Sequence, residues 1–99
     1  MVMTVLEASV DPENWDVLKS EFNSAVKALE PGMVQTFLVQ GKRDRNLWRI
    51  ITLWESQEAL DLMRASGETP RGVVILRAAK AEPTLSVFDV ASQSLLRPA

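Results

Sequence analysis

Residues 31–63 constrain this chain more than any other stretch. Pro31 fixes its own φ and restricts the residue before it, and Gly32 accepts turn angles that other residues resist, so the pair ends whatever precedes it. Two runs rich in branched and aromatic residues follow, at 33–40 and 47–54, separated by the polar loop 41–46. Such residues suit a pleated surface, and two runs of them joined by a short polar loop with a glycine predict a hairpin. The second run, Leu-Trp-Arg-Ile-Ile-Thr-Leu-Trp, passes directly into Glu55-Ser56-Gln57-Glu58-Ala59-Leu60. There Ser56 is placed to cap a helix over 57–66, with Ala59, Leu60 and Met63 facing inward and Gly67 available to end it. The unit is strand, hairpin, strand, helix.

The flanks obey the same rules. Residues 2–10 alternate with the period of a strand, placing Val2, Thr4, Leu6, Ala8 and Val10 on one face and Met3, Val5, Glu7 and Ser9 on the other. Asp11-Pro12-Glu13 predicts a helix start: the Asp11 side chain can accept from free N–H groups, Pro12 suits the first turn, and Glu13 suits the positive end of the dipole. This helix is expected over 12–29, since Trp15, Leu18, Phe22, Ala25, Val26 and Leu29 recur at three- and four-residue steps. Thr69-Pro70 repeats the start signal ahead of 71–81. There Val73-Val74-Ile75-Leu76 favours strand and Arg77-Ala78-Ala79-Lys80-Ala81 favours helix; helix is the expectation. Pro83 ends it, and 85–90 forms the last strand. Strand-helix-strand thus occurs twice, which predicts an α+β, ferredoxin-like split βαβ fold with a four-stranded antiparallel sheet. The chain is expected to be one domain over 1–91 with a tail at 92–99, whose Leu95 and Leu96 can dock on a neighbour.

Neither face of the first three strands is plainly polar. In the hairpin, Gln35, Phe37 and Val39 face one way and Val34, Thr36 and Leu38 the other; in the returning strand, Trp48, Ile50, Thr52 and Trp54 oppose Leu47, Arg49, Ile51 and Leu53. A chain of 99 residues has too few helices to cover both faces of such a sheet. A second copy is the expected cover, making the protein an obligate homodimer.

Composition removes whole classes of chemistry. The chain has no His and no Cys. It therefore lacks the usual general base near neutral pH, the usual haem ligand, a thiolate nucleophile and a thiolate metal site. No metal and no cofactor are expected. Eleven Lys and Arg against thirteen Asp and Glu give a net charge of −2, which offers no footprint for nucleic acid. No apolar run approaches the roughly 18 residues of a membrane span, and the start is unlike a signal peptide. A soluble, cytoplasmic protein is expected.

The substrate-binding candidates are Trp48, Arg49, Trp54, Met63 and Phe37. Trp48 and Trp54 share a strand face, where they form either a wall for a planar ligand or ordinary core. Trp15 is read as packing. Arg49, amid Leu47, Ile51 and Leu53, either holds a phenolate or carboxylate or pairs with Glu7 or Asp89. Glu55 caps or salt-bridges at the strand exit, and Lys42, Arg43 and Arg45, interrupted by Asp44, make a solvated hairpin tip. No residues have the spacing of a metal site, a nucleophile with its base, or a phosphate loop, so none is assigned as catalytic.

Pro31-Gly32 opening the second strand, Leu53-Trp54-Glu55-Ser56-Gln57-Glu58-Ala59-Leu60 closing the third, and the order of elements over 2–90 resemble the antibiotic biosynthesis monooxygenase family. The Trp54-Glu55-Ser56 step recurs in other dimeric α+β barrels. The resemblance implies a homodimer with two sheets facing each other, helices outside, and a pocket in each subunit between helices and sheet. It also implies cofactor-independent oxidation of a small aromatic, of quinol or polyketide type; the alternative is a non-catalytic barrel that binds a small apolar ligand or serves as an assembly module. Haem-degrading relatives use an Asn on the first strand, a Trp on the helix after the hairpin and a His on the next helix. This chain has Glu7 and Ala8, Met63, and Val73 there, so haem degradation is not expected. Many relatives carry a His late in the helix after the hairpin, where this chain has only residues 64–67.

Overall fold

The computed structural model describes residues 1–94; Leu95 and Leu96 of the expected tail lie outside the described residues. The elements are β1 (Val2–Ser9), a 3-10 turn (Pro12–Asn14), α1 (Trp15–Ala25), β2 (Met33–Gln40), β3 (Leu47–Trp54), α2 (Gln57–Ala65), α3 (Arg71–Ala78) and β4 (Thr84–Asp89). The four strands form one antiparallel sheet in the order β2-β3-β1-β4. This is the expected α+β, ferredoxin-like sheet, with α2 and α3 together in the second crossover. Residues 73–76 are helical, as expected.

Register decides which side chains share a face. β1 pairs with β3 without interruption, from Val2 opposite Trp54 to Ser9 opposite Leu47. The even-numbered residues of both strands therefore point one way, and Trp48, Ile50, Thr52 and Trp54 are all buried. The helices cover this side in two clusters. One joins Leu18 of α1, Ile75 and Leu76 of α3, and Trp48, Ile50 and Ala8 of the sheet. The other joins Leu60 of α2 to Val2 and Trp54. The odd-numbered face holds Glu7 and Arg49, and β2 adds Phe37 and Val39 to it, opposite Ile51 and Arg49.

Several local expectations are corrected. The first helix ends at Ala25, four residues short of Leu29, and Leu29 is half exposed. The reason is tertiary: Arg71 at the start of α3 donates to the carbonyls of Ala25 and Ala28 and pairs with Glu30 at 3.1 Å, capping the helix from outside. At the other end the Asp11 side chain makes no cap; its carbonyl accepts from Asn14 N at 2.9 Å, so the helix opens with a 3-10 turn. α3 ends at Ala78 instead of continuing to Ala81, because Lys80 takes a left-handed φ of 59°. Lys80 N then donates to Arg77 O at 2.9 Å and Ala81 N to Leu76 O at 3.0 Å, a reversal that buries Ala79 and Ala81 in the core. A bulge between Met33 and Gln35 takes Val34 out of the row it was expected to share with Thr36 and Leu38, leaving it half exposed.

Two glycines stand at close approaches of the helices. Gly32 has φ +88°, and a Cβ there would lie 2.5 Å from Ala59 Cβ, so it serves both the turn and the approach of α2. A Cβ on Gly72 would lie 2.5 Å from Leu6 Cδ1, the movable end of a side chain, so the first turn of α3 rests close on β1. Ser56 caps α2 as expected, its Oγ accepting from Ala59 N at 3.1 Å.

Candidate functional site

The two buried clusters do not merge. Between them, under the helices, is a cavity of about 270 Å³. Its walls come from Phe22 and Ala25 of α1, Leu60 and Met63 of α2, and Gly72, Val73 and Ile75 of α3. Its floor is the sheet: Leu6, Ile50 and Trp54, with Thr4, Thr36 and Thr52.

The three threonines form one row across three strands. Thr52 of β3 is opposite Thr36 of β2 on one side and Thr4 of β1 on the other. Thr36 Oγ1 and Thr52 Oγ1 are hydrogen-bonded at 3.0 Å, and Trp54 Nε1 donates to Thr4 Oγ1 at 3.1 Å. Thr52 is only 5% exposed, the one buried polar residue among those described. Thus an apolar chamber has a short polar strip in its floor.

The charged residues that line it are mostly spoken for. Arg71 pairs with Glu30, and Arg77 grips Glu82 through Nε and Nη2 at 3.1 and 2.8 Å. That hydrogen bond holds the Glu82 carboxyl below its ordinary value and raises Arg77 above its own. Arg64 also lines the cavity and makes no ion pair among the described residues. No group of three or more acidic residues stands together to hold a metal among the described residues.

The five sequence candidates separate. Trp54 and Met63 line the cavity. Trp48 is on the same sheet face but in the other cluster, edge-on to Trp15 with centroids 5.9 Å apart. Phe37 and Arg49 are on the opposite face, Arg49 directly across from Glu7 with Nη2 at 2.6 Å from its carboxylate. Of the two pairings open to Arg49, the one with Glu7 is formed; Asp89 lies opposite Val2. Trp15 donates to Val10 O at 2.9 Å and packs on the first cluster. At the hairpin tip Arg45 bonds Gln40 and Gly41, and Asp44 accepts from Asn46 N, so the loop satisfies itself. The threonine row went unread in the sequence, because it emerges only when β1, β2 and β3 are aligned.

Solved structures resemble this fold over nearly its whole length. A protein of Deinococcus radiodurans covers 99% of this chain and 100% of its own at 13% identity, with a TM-score of 0.73. SnoaB, a cofactor-independent oxygenase from Streptomyces nogalater, covers 97% of each chain at 22% identity and a TM-score of 0.67. Rv0793 from Mycobacterium tuberculosis covers 95% of this chain and 98% of its own at 14% identity and 0.69. At these identities the likeness is one of fold. No curated protein matches the chain. The profile of the antibiotic biosynthesis monooxygenase family matches residues 1–71, from β1 to the start of α3 and including most of the cavity lining, and on that match the chain belongs to this family.

Proposed function

We propose that the protein takes a small planar aromatic, of quinol or polyketide type, into this cavity and oxidises it with dioxygen without a cofactor. The observation that carries the reading is a mostly apolar chamber of about 270 Å³ lined by Phe22, Trp54, Leu60 and Met63, near the lower end of small-molecule pockets and so suited to a small flat ligand. Family membership supports the reaction class. An electron-rich phenol or quinol anion reduces dioxygen directly; one oxygen atom enters at a ring carbon bearing two hydrogens in its keto form, and the other leaves as water with those hydrogens. The protein's part is to bind, exclude water and stabilise the anion. Arg49 was the sequence's candidate for the last task, but it is on the far face and paired; Arg64 is the lining cation free for it among the described residues.

Oxygen uptake across a panel of quinols and polyketide-type phenols tests the proposal. Uptake above the protein-free rate, lost in a cavity-filling Val73→Trp variant, is expected. Binding without uptake would favour the second reading, a non-catalytic barrel that holds a small apolar ligand. One observation supports that rival: both carboxylates lining the cavity, Glu30 and Glu82, are held in ion pairs, so no free general base faces the ligand among the described residues.

The working unit in this proposal is a homodimer with the two sheets face to face. The face away from the helices carries Phe37, Val39 and Phe88, 42, 38 and 52% exposed, beside Met3, Val5, Ile51 and Leu53. A contiguous apolar patch of this kind is what an obligate interface covers.

A further inference from the structure

The threonine row of the floor has more hydrogen-bond donors than the protein uses. Each hydroxyl carries one proton. Thr4 Oγ1 accepts from Trp54 Nε1, and its own proton has no acceptor among the described residues. Between Thr36 and Thr52 one proton makes the 3.0 Å bond, whichever residue gives it, and the other proton is left over. Two donors therefore remain on a floor whose other sheet residues, Leu6, Met33, Ile50, Trp54 and Leu85, are apolar. Donors inside an apolar chamber are satisfied by water or by an acceptor on the ligand, and a donor left bare is costly. The indole bond matters too, because it orients Thr4 and draws electron density from its oxygen, which makes the hydroxyl a better donor.

We infer that this row is the polar end of the ligand site: the ligand carries a carbonyl or phenolate oxygen that accepts from Thr4 and from the Thr36–Thr52 pair, with its rings against Phe22, Leu60 and Met63. The inference rests on the cavity being the ligand site and adds the ligand's orientation and the character of its oxygen. A planar hydrocarbon satisfies the walls and strands the floor. An aryl ketone satisfies both.

The test compares 1-tetralone with tetralin, which share a skeleton and differ at one carbonyl. Each is titrated while the indole N–H resonance of Trp54 is followed by NMR. The ketone is the more water-loving of the two, so hydrophobic transfer alone favours tetralin. Tetralone is expected to bind about tenfold tighter. That preference is expected to vanish in Thr4→Val, to fall in Thr52→Val or the less buried Thr36→Val, and to survive in Thr4→Ser. Tetralin binding as tightly as tetralone to the wild type would overturn the orientation while leaving the aromatic site intact. Failure of both to bind would overturn the site itself. A preference unchanged in all three valine variants, each shown folded by its dispersed spectrum, would also overturn the inference.

Discussion

Trp54 donates its indole N–H to Thr4, whereas Trp48 buries the same group with no partner. Replacement by phenylalanine removes a made hydrogen bond in one case and an unmet donor in the other, while shedding similar apolar volume. Trp48→Phe is therefore expected to be the milder change, by about 1 kcal/mol or more, in urea midpoints measured side by side. The Arg49–Glu7 pair shows the same dependence on surroundings. Both side chains are about half exposed, at 48 and 40%, so Glu7→Gln in the isolated subunit should change stability by less than about 1 kcal/mol. A larger effect would place the pair in a buried interface.

At the scale of elements, the joins are more sensitive than the strands. Ser56→Ala removes the cap of α2 and is expected to cost about 1 kcal/mol. Gly32→Ala should cost more, because it combines a φ of +88° with a Cβ 2.5 Å from Ala59 Cβ. The two causes separate in a double-mutant cycle: adding Ala59→Gly should relieve the clash and leave the backbone strain. The end of α3 carries a pH signature. The Arg77 hydrogen bond lowers Glu82 below its ordinary 4.5, so its contribution is complete above that pH and fades as pH falls through the lower folded value. Glu82→Gln should flatten that part of the acid limb of a stability curve, by a small amount since both side chains are more than half exposed and water screens the pair.

For the whole molecule, the proposed twofold assembly makes the sharpest demand. Light scattering at micromolar concentration should give twice the 11.0 kDa chain mass, with a melting point that rises with concentration. Phe37→Lys, on the edge strand β2 of the open face, should weaken the assembly and lower that concentration-dependent melting point. A wild-type monomer with a concentration-independent transition would remove the barrel from the proposal. Among the described residues no helix is long and apolar enough to cross a membrane.

The periodicity of residues 2–10, 33–40 and 47–54, and the turn chemistry of Pro31-Gly32 and Ser56, were sufficient for the strands and the start of α2, because these signals act within a few residues. The ferredoxin-like order followed from counting those elements. Helix ends did not follow, since Arg71 caps α1 from 43 to 46 residues away in sequence and burial of Ala79 and Ala81 outweighs helix propensity at Lys80. The site was half legible: Trp54 and Met63 could be placed on an inward face, but periodicity alone cannot say which face of a strand apolar on both sides the helices will choose. Only the register between β1 and β3, strands some forty residues apart, put Arg49 opposite Glu7, away from the cavity, and drew Thr4, Thr52 and Thr36 into one row beneath it.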